Sequence, residues 1–272
     1  MNTSYTHQML LSELTSLAKA YPEIKMTTIG HSVKGKPIPA IKIGKGDVKL
    51  LYVGTHHGLE SISSALLMKF LSELCGHFEK RNIIYGIDPY YIYETRCIYM
   101  IPMLNPDGVE LKRQSNANGV DLNHNYDAGF EEYKKLEKEL GIEGPAPTRY
   151  SGEHPESEPE TRAICSFIRS LAPFKYLFTF HTQGEEIYSG YNGYEPKSSV
   201  NVAKTLSRCS GYIHALPENA ASYGGLKDWY VKEFDLPAYT IECGKGENPL
   251  PLTDLSNIYI TLRKMLFTTL TV

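Results

Sequence analysis

Short apolar stretches alternate along this chain with longer ones whose apolar residues recur three and four apart, and that alternation restricts the fold more than any other feature. Residues 25–29, Pro37–Ile43, 49–54, 97–104, 175–180 and 238–243 read as strands. Residues 6–20, 60–75, the stretch from Ser157 to Leu171, Ser199–Ser210, 225–234 and 255–270 read as helices. Boundary residues agree with these spans. Pro22 follows the first helix, Gly211 stops the one at 199–210, and Ser157 with Glu160 has the spacing of a capping box, Pro159 lying in its first turn. Asn105-Pro106-Asp107-Gly108 is a strong turn signal, and 112–155 reads as a long loop carrying one charged helical piece around 129–140. Strands interleaved with helices imply an α/β class: a three-layer α/β/α fold with a mixed, largely parallel central sheet. No repeat, low-complexity tract or linker interrupts the pattern, so residues 1–272 are expected to form a single domain.

Composition enters mainly through what it excludes. A net charge of −3 gives no electrostatic reason to expect nucleic acid or an anionic membrane as partner. No apolar run approaches the roughly 18 residues that a membrane-crossing helix needs. The start, Met1 to Gln8, lacks the basic and apolar regions of a secretory leader. Cys75, Cys97, Cys165, Cys209 and Cys243 are odd in number, widely spaced and form no Cys-x-x-Cys, which suits free thiols in a reducing compartment. A cytoplasmic location is the expectation; oligomeric state is not legible.

In sheets of this class ligands bind beyond the carboxyl ends of the strands. Three predicted strands lead there into residues of catalytic type: His57 after 49–54, His181 after 175–180, and Glu242 at the end of the last strand. His57 and Glu60, three apart at a helix start, can face one point in space. Alone that spacing is common by chance. With His181 it makes two imidazoles and a carboxylate, the ligand set of a catalytic zinc site that leaves one position open for water.

Read in order, Gly30-His-Ser-Val-Lys-Gly35, His57-Gly-Leu-Glu60, Asn105-Pro-Asp-Gly108, Asn118-Gly-Val-Asp-Leu-Asn123, Ser157-Glu-Pro-Glu160, His181 and Thr240-Ile-Glu242 resemble the zinc carboxypeptidase family over most of the chain. The resemblance implies one zinc ion per chain on His57, Glu60 and His181, with Glu242 as general base. A plain ion pair between Glu242 and Lys245 is the alternative for that carboxylate. Asp121 matches the position that accepts a hydrogen bond from the first ligand histidine, which would fix the tautomer of His57. His56 reads as a structural neighbour of His57.

Elsewhere the chain departs from the pancreatic-type members. Their Asn-Arg pair grips the substrate's terminal carboxylate; here the pair is Asn123-His124, and histidine offers neither a fork nor a permanent charge. The arginine that would polarise the scissile carbonyl matches Arg113 if the loop shifts by one residue, and otherwise Gln114. The family's closing tyrosine aligns with Ala220, with Tyr223 in the same loop as a replacement. Lys227 falls where the family sets side-chain preference, and a cation there favours an acidic group. The stretches Phe180-His-Thr-Gln-Gly-Glu185, Gly224-Gly-Leu-Lys-Asp-Trp229 and Glu242-Cys-Gly-Lys-Gly-Glu-Asn-Pro-Leu-Pro251 look like the bacterial γ-D-glutamyl-(L)-meso-diaminopimelate peptidases. That branch implies a small peptide substrate, a murein stem peptide rich in carboxylates, and a hydrolase acting on its amide bond. A zinc carboxypeptidase of ordinary peptides and an N-acyl amino acid deacylase on the same fold are the rival readings, and a non-catalytic binding module would have to lack the ligands that are present here.

Overall fold

Strands β3 (Val48–Gly54), β4 (Arg96–Ile101), β5 (Tyr176–His181) and β8 (Ala238–Glu242) are buried along nearly their whole length, as strands covered on both faces must be. They run parallel to one another at the centre of an eight-stranded sheet of order β1-β2-β4-β3-β5-β8-β6-β7. On one side β1 (Lys25–His31) and β2 (Pro37–Ile43) add antiparallel strands. On the other, β6 (Glu186–Ser189) is antiparallel to β8 and carries the short strand β7 (Ile213–Ala215). This computed structural model describes residues 4–216 and 223–272.

Alternate residues of each strand feed opposite cores. Leu50 and Tyr52 of β3 join Leu10 and Leu14 of α1 (His7–Ala20), the buried face of α2 (Ile62–Lys80), Leu206 of α7 (Ser199–Ser210) and Leu262 and Leu266 of α9 (Leu255–Thr268). Leu51 and Val53 point the other way, into a core with Ile164 and Ile168 of α6 (Pro159–Leu171) and Trp229 and Tyr230 of α8 (Leu226–Phe234). The result is the expected three-layer α/β/α arrangement. No helix among the described residues is long and apolar enough to cross a membrane.

Several local expectations need correction. Residues 105–108 do not form an isolated turn: Asn105 caps a one-and-a-half-turn helix, α4 (Pro106–Leu111), its Oδ1 accepting from the Gly108 amide at 2.8 Å with proline in the first turn. The Ser157/Glu160 capping box does not form either. Ser157 Oγ donates to Glu158, and Glu160 instead accepts from the Val33 amide across the molecule at 3.1 Å. A short helix, α3 (Pro89–Thr95), and the outer strands β6 and β7 are further elements that the sequence pattern does not predict. The long 112–155 segment does hold the charged helix, α5 (Phe130–Glu139).

Candidate metal centre and active site

At the end of β3 the chain turns sharply. Thr55 adopts a left-handed conformation (φ 53°), costly for a β-branched residue, and is held there by Ser63 Oγ on its amide (2.9 Å) and by Ser64 Oγ on its hydroxyl (2.6 Å). The turn delivers His57 and the single 3-10 turn Gly58–Glu60 to the carboxyl edge of the sheet. Only glycine fits at 58, because a Cβ there would lie 2.0 Å from the Gly108 carbonyl carbon. Its amide donates to Gln114 O at 3.2 Å, tying the turn to the long loop.

The three residues read as metal ligands come together. His57 Nδ1 lies 2.7 Å from Glu60 Oε1, His181 Nδ1 lies 3.0 Å from Glu60 Oε2, and one ligand atom from each falls within 4.8 Å of the others. Glu60 and His181 are buried. Burial penalises the charged form of both His57 and Glu60, yet each outweighs it in the other: the Glu60 and Asp121 carboxylates hold the His57 pKa well above its ordinary value, and His57 and His181 hold Glu60 below its own. A buried carboxylate flanked by two inward-facing imidazole nitrogens, with a second carboxylate behind, is a place that favours a cation. The donor set fits a divalent metal of the zinc type.

Asp121 is fully buried and saturated with donors. Its Oδ1 lies 3.0 Å from His57 Nε2 and accepts from the Asn123 amide, and its Oδ2 accepts from Gln114 Nε2 (2.7 Å) and the Arg149 amide (3.1 Å). Against the cost of burial, His57 and His124 hold its pKa well below the carboxylate range. Gln114 is therefore two hydrogen bonds from His57, through Asp121. Arg113 is turned instead to the carbonyl of Asn116.

Glu242 ends β8 directly opposite His181 in the parallel register. Burial first, then the nearby Glu60 and Glu186 carboxylates, push its pKa up to about 8, against the pull of His57. A cation on the triad would oppose that shift, favouring the carboxylate form that can accept a proton. Its alternative partner is engaged elsewhere: Lys245 pairs with Glu185 at 2.7 Å.

The residues expected to meet substrate are more constrained than their types suggest. Asn123 and His124 form a 3-10 turn packed on Gly224 and Gly225. His124 Nδ1 lies 2.7 Å from Tyr223 O, its ring stacks on Tyr133 at 3.8 Å between centroids, and burial lowers its pKa despite Asp121. Tyr223 O–H donates to Asn192 at 2.6 Å, while Ala220 lies outside the described residues. Lys227 is buried, donating to Gly190 O (2.6 Å) and to the Asp228 carboxylate, so its charge is already matched. Asn248 was not singled out: its Nδ2 donates to Thr182 O at 2.7 Å and reaches toward Glu60 Oε1 at 3.5 Å. Its position in the 242–251 segment was the only available signal, since nothing local brings that segment to Glu60.

Comparison with known proteins agrees with this geometry. The zinc carboxypeptidase family model matches residues 10–265. Gamma-D-glutamyl-L-diamino acid endopeptidase 1 of Lysinibacillus sphaericus is 33% identical over 94% of this chain and 69% of its own, and protein YqgT of Bacillus subtilis (strain 168) is 31% identical over 94% and 74%. Bovine thrombin-activatable fibrinolysis inhibitor shares the fold, with a TM-score of 0.75 at 19% identity over 98% of this chain and 97% of that one. With the family model spanning nearly the whole chain and the sheet carrying the expected residues at its carboxyl edge, this protein belongs to the zinc carboxypeptidase family and is a hydrolase.

Proposed function

We propose that this chain holds one zinc ion on His57, Glu60 and His181 and hydrolyses the γ-D-glutamyl–meso-diaminopimelate amide of murein stem peptides. When bound, zinc supplies Lewis acidity at the scissile carbonyl and to the attacking water. The chain's own part is the movement of protons. The Glu242 carboxylate takes one from the water as its oxygen forms the bond to the carbonyl carbon. It then gives that proton to the amine nitrogen as the C–N bond breaks. Asp121 fixes the ring of His57 throughout.

The observation that carries the substrate assignment is the state of His124. A terminal-carboxylate grip needs a fixed cation, but this imidazole is half-buried, stacked on Tyr133, bonded to Tyr223 O and lowered in pKa. That supports a substrate held by other groups than a plain terminal carboxylate, in line with the name of the Lysinibacillus relative. The free state of all five cysteines supports the cytoplasmic location as part of the same reading.

The test is a competition digest followed by mass spectrometry, with a γ-D-glutamyl-diaminopimelate tripeptide, an ordinary peptide ending in Phe, and an N-acetylated amino acid in one tube. The expected result is cleavage of the first with kcat/KM at least tenfold above the others. Equal cleavage of the first two would return the enzyme to general carboxypeptidases, and preference for the third would make it a deacylase.

A further inference from the structure

The two ligand histidines are not supported alike. Each turns Nδ1 to Glu60, and His57 places its second nitrogen on Asp121, the arrangement that normally fixes a ligand imidazole. His181 has no such partner: its Nε2 is buried and meets no acceptor among the described residues. What it meets is a ring. The imidazole of His56 lies nearly parallel to that of His181, with centroids 5.3 Å apart and planes 23° apart. Although adjacent to His57 in sequence, His56 thus faces the other ligand.

His56 is itself held on two sides. It is wholly buried, its Nε2 lies 3.0 Å from the Tyr126 hydroxyl, and its carbonyl accepts from Asn105 Nδ2 at 3.0 Å. Tyr126 is anchored in turn, its amide donating to Gly224 O at 3.0 Å and its ring packed beside Trp229. Its Nδ1 is buried and meets no partner among the described residues, so the Tyr126 hydroxyl is the one hydrogen bond that sets the ring, and a flat apolar ring would fill the space without it. We propose that His56, held by Tyr126, is the positioning residue of His181. It orients the imidazole by stacking, where Asp121 orients His57 by a hydrogen bond. The inference rests on the reading of His57, Glu60 and His181 as the metal site.

The test measures zinc affinity by competition with a chelating dye, together with the visible spectrum of the cobalt-substituted protein and the melting temperature of the metal-free protein. His56→Ala should raise the zinc Kd by about 10–100-fold, the usual cost of losing a group that orients a ligand, and should alter the cobalt bands. Tyr126→Phe, which keeps the stack but frees His56, and His56→Phe, which keeps a ring but loses the anchor, should each raise Kd by a smaller factor of at least about threefold; these two decide if His56→Ala does not fold. A lower melting temperature with zinc Kd and cobalt spectrum unchanged would show that His56 only fills space, and would overturn the proposal. Failure of the underlying site has a different signature: wild-type protein that takes up no zinc, or a His181→Ala variant that keeps it.

Discussion

On the face of the sheet covered by α1, α2, α7 and α9 lies the larger apolar cluster, with the buried hydroxyls of Ser63 and Ser64 at its edge toward Thr55. On the face covered by α6, α8 and the 112–158 segment, apolar packing shares the interior with buried carboxylates and amides: Asp121, Asn116, Asn125, Glu137, Glu158 and Glu160. Apolar contacts have no direction, so the first face can be stable without placing any one atom finely. Hydrogen bonds have direction, so the second face can. Asn125 shows how: its amide donates to Ser151 O (2.7 Å), His154 O (3.2 Å) and Ser157 Oγ (2.9 Å), and its Oδ1 accepts from the Glu158 amide. One side chain pins a segment that would otherwise be free loop, four residues from Asp121. Hydrogen bonds of this kind place Asp121 behind His57 from this face, while Ser63 and Ser64 of α2 hold the turn at Thr55 from the other.

The sharpest way to challenge that contrast is at the edge itself. Glu242→Gln preserves shape and packing, and turnover should fall by at least about 10²-fold while the melting temperature and substrate binding stay close to wild type. A kcat near wild type would move the proton chemistry to another group. Next comes a matched pair. Leu71→Ala on the apolar face should cost roughly 2–5 kcal/mol of stability with kcat/KM unchanged below the melting transition. Asn125→Ala should cost about 1–3 kcal/mol and also lower kcat/KM, because unpaired buried groups shift the loop behind Asp121. Equal losses of activity in the two variants would erase the distinction between the faces.

The smallest effect concerns pH. Burial raises the Glu160 carboxyl to about 7, with Glu158 adding repulsion, while donors from its own backbone, Val33 and Asn116 pull the other way. The folded state therefore keeps this proton up to near pH 7, whereas the unfolded chain releases it near the ordinary value of 4.5. Stability should fall as pH rises through that window, by roughly 1–3 kcal/mol, and be flat above it. Glu160→Gln should remove the slope in pH-dependent denaturant melts; an unchanged slope would assign it elsewhere.

The same contrast explains what could be read from the sequence. The central strands and long helices follow from periodicity, because Leu50, Leu51, Tyr52 and Val53 have nowhere to go but two opposite cores. The metal-ligand candidates were legible because strand ends converge in this class of sheet. Strands β6 and β7 are not legible because runs of four and three residues are too short for a strand pattern to stand out. Helix α4 was missed because Asn-Pro-Asp-Gly spells a turn as readily as a capped helix start. Ser157 looked like a cap because its competing partner, Asn125, is thirty-two residues away. Lys227 looked like a free cation although its partner is the next residue, since sequence does not show that both point inward.

That last pair has a consequence for how this enzyme can change. Lys227 and Asp228 are both buried, and replacing either alone strands the other charge, at about 3–5 kcal/mol. This is a large fraction of the 5–15 kcal/mol that keeps a domain folded. Two neighbouring codons are thus locked into one epistatic unit, and a lineage drifting toward a new substrate has to cross a deep fitness valley or alter both together. Mutational routes to new specificity should therefore run first through residues with no such partner, leaving Lys227-Asp228 as a fixed point.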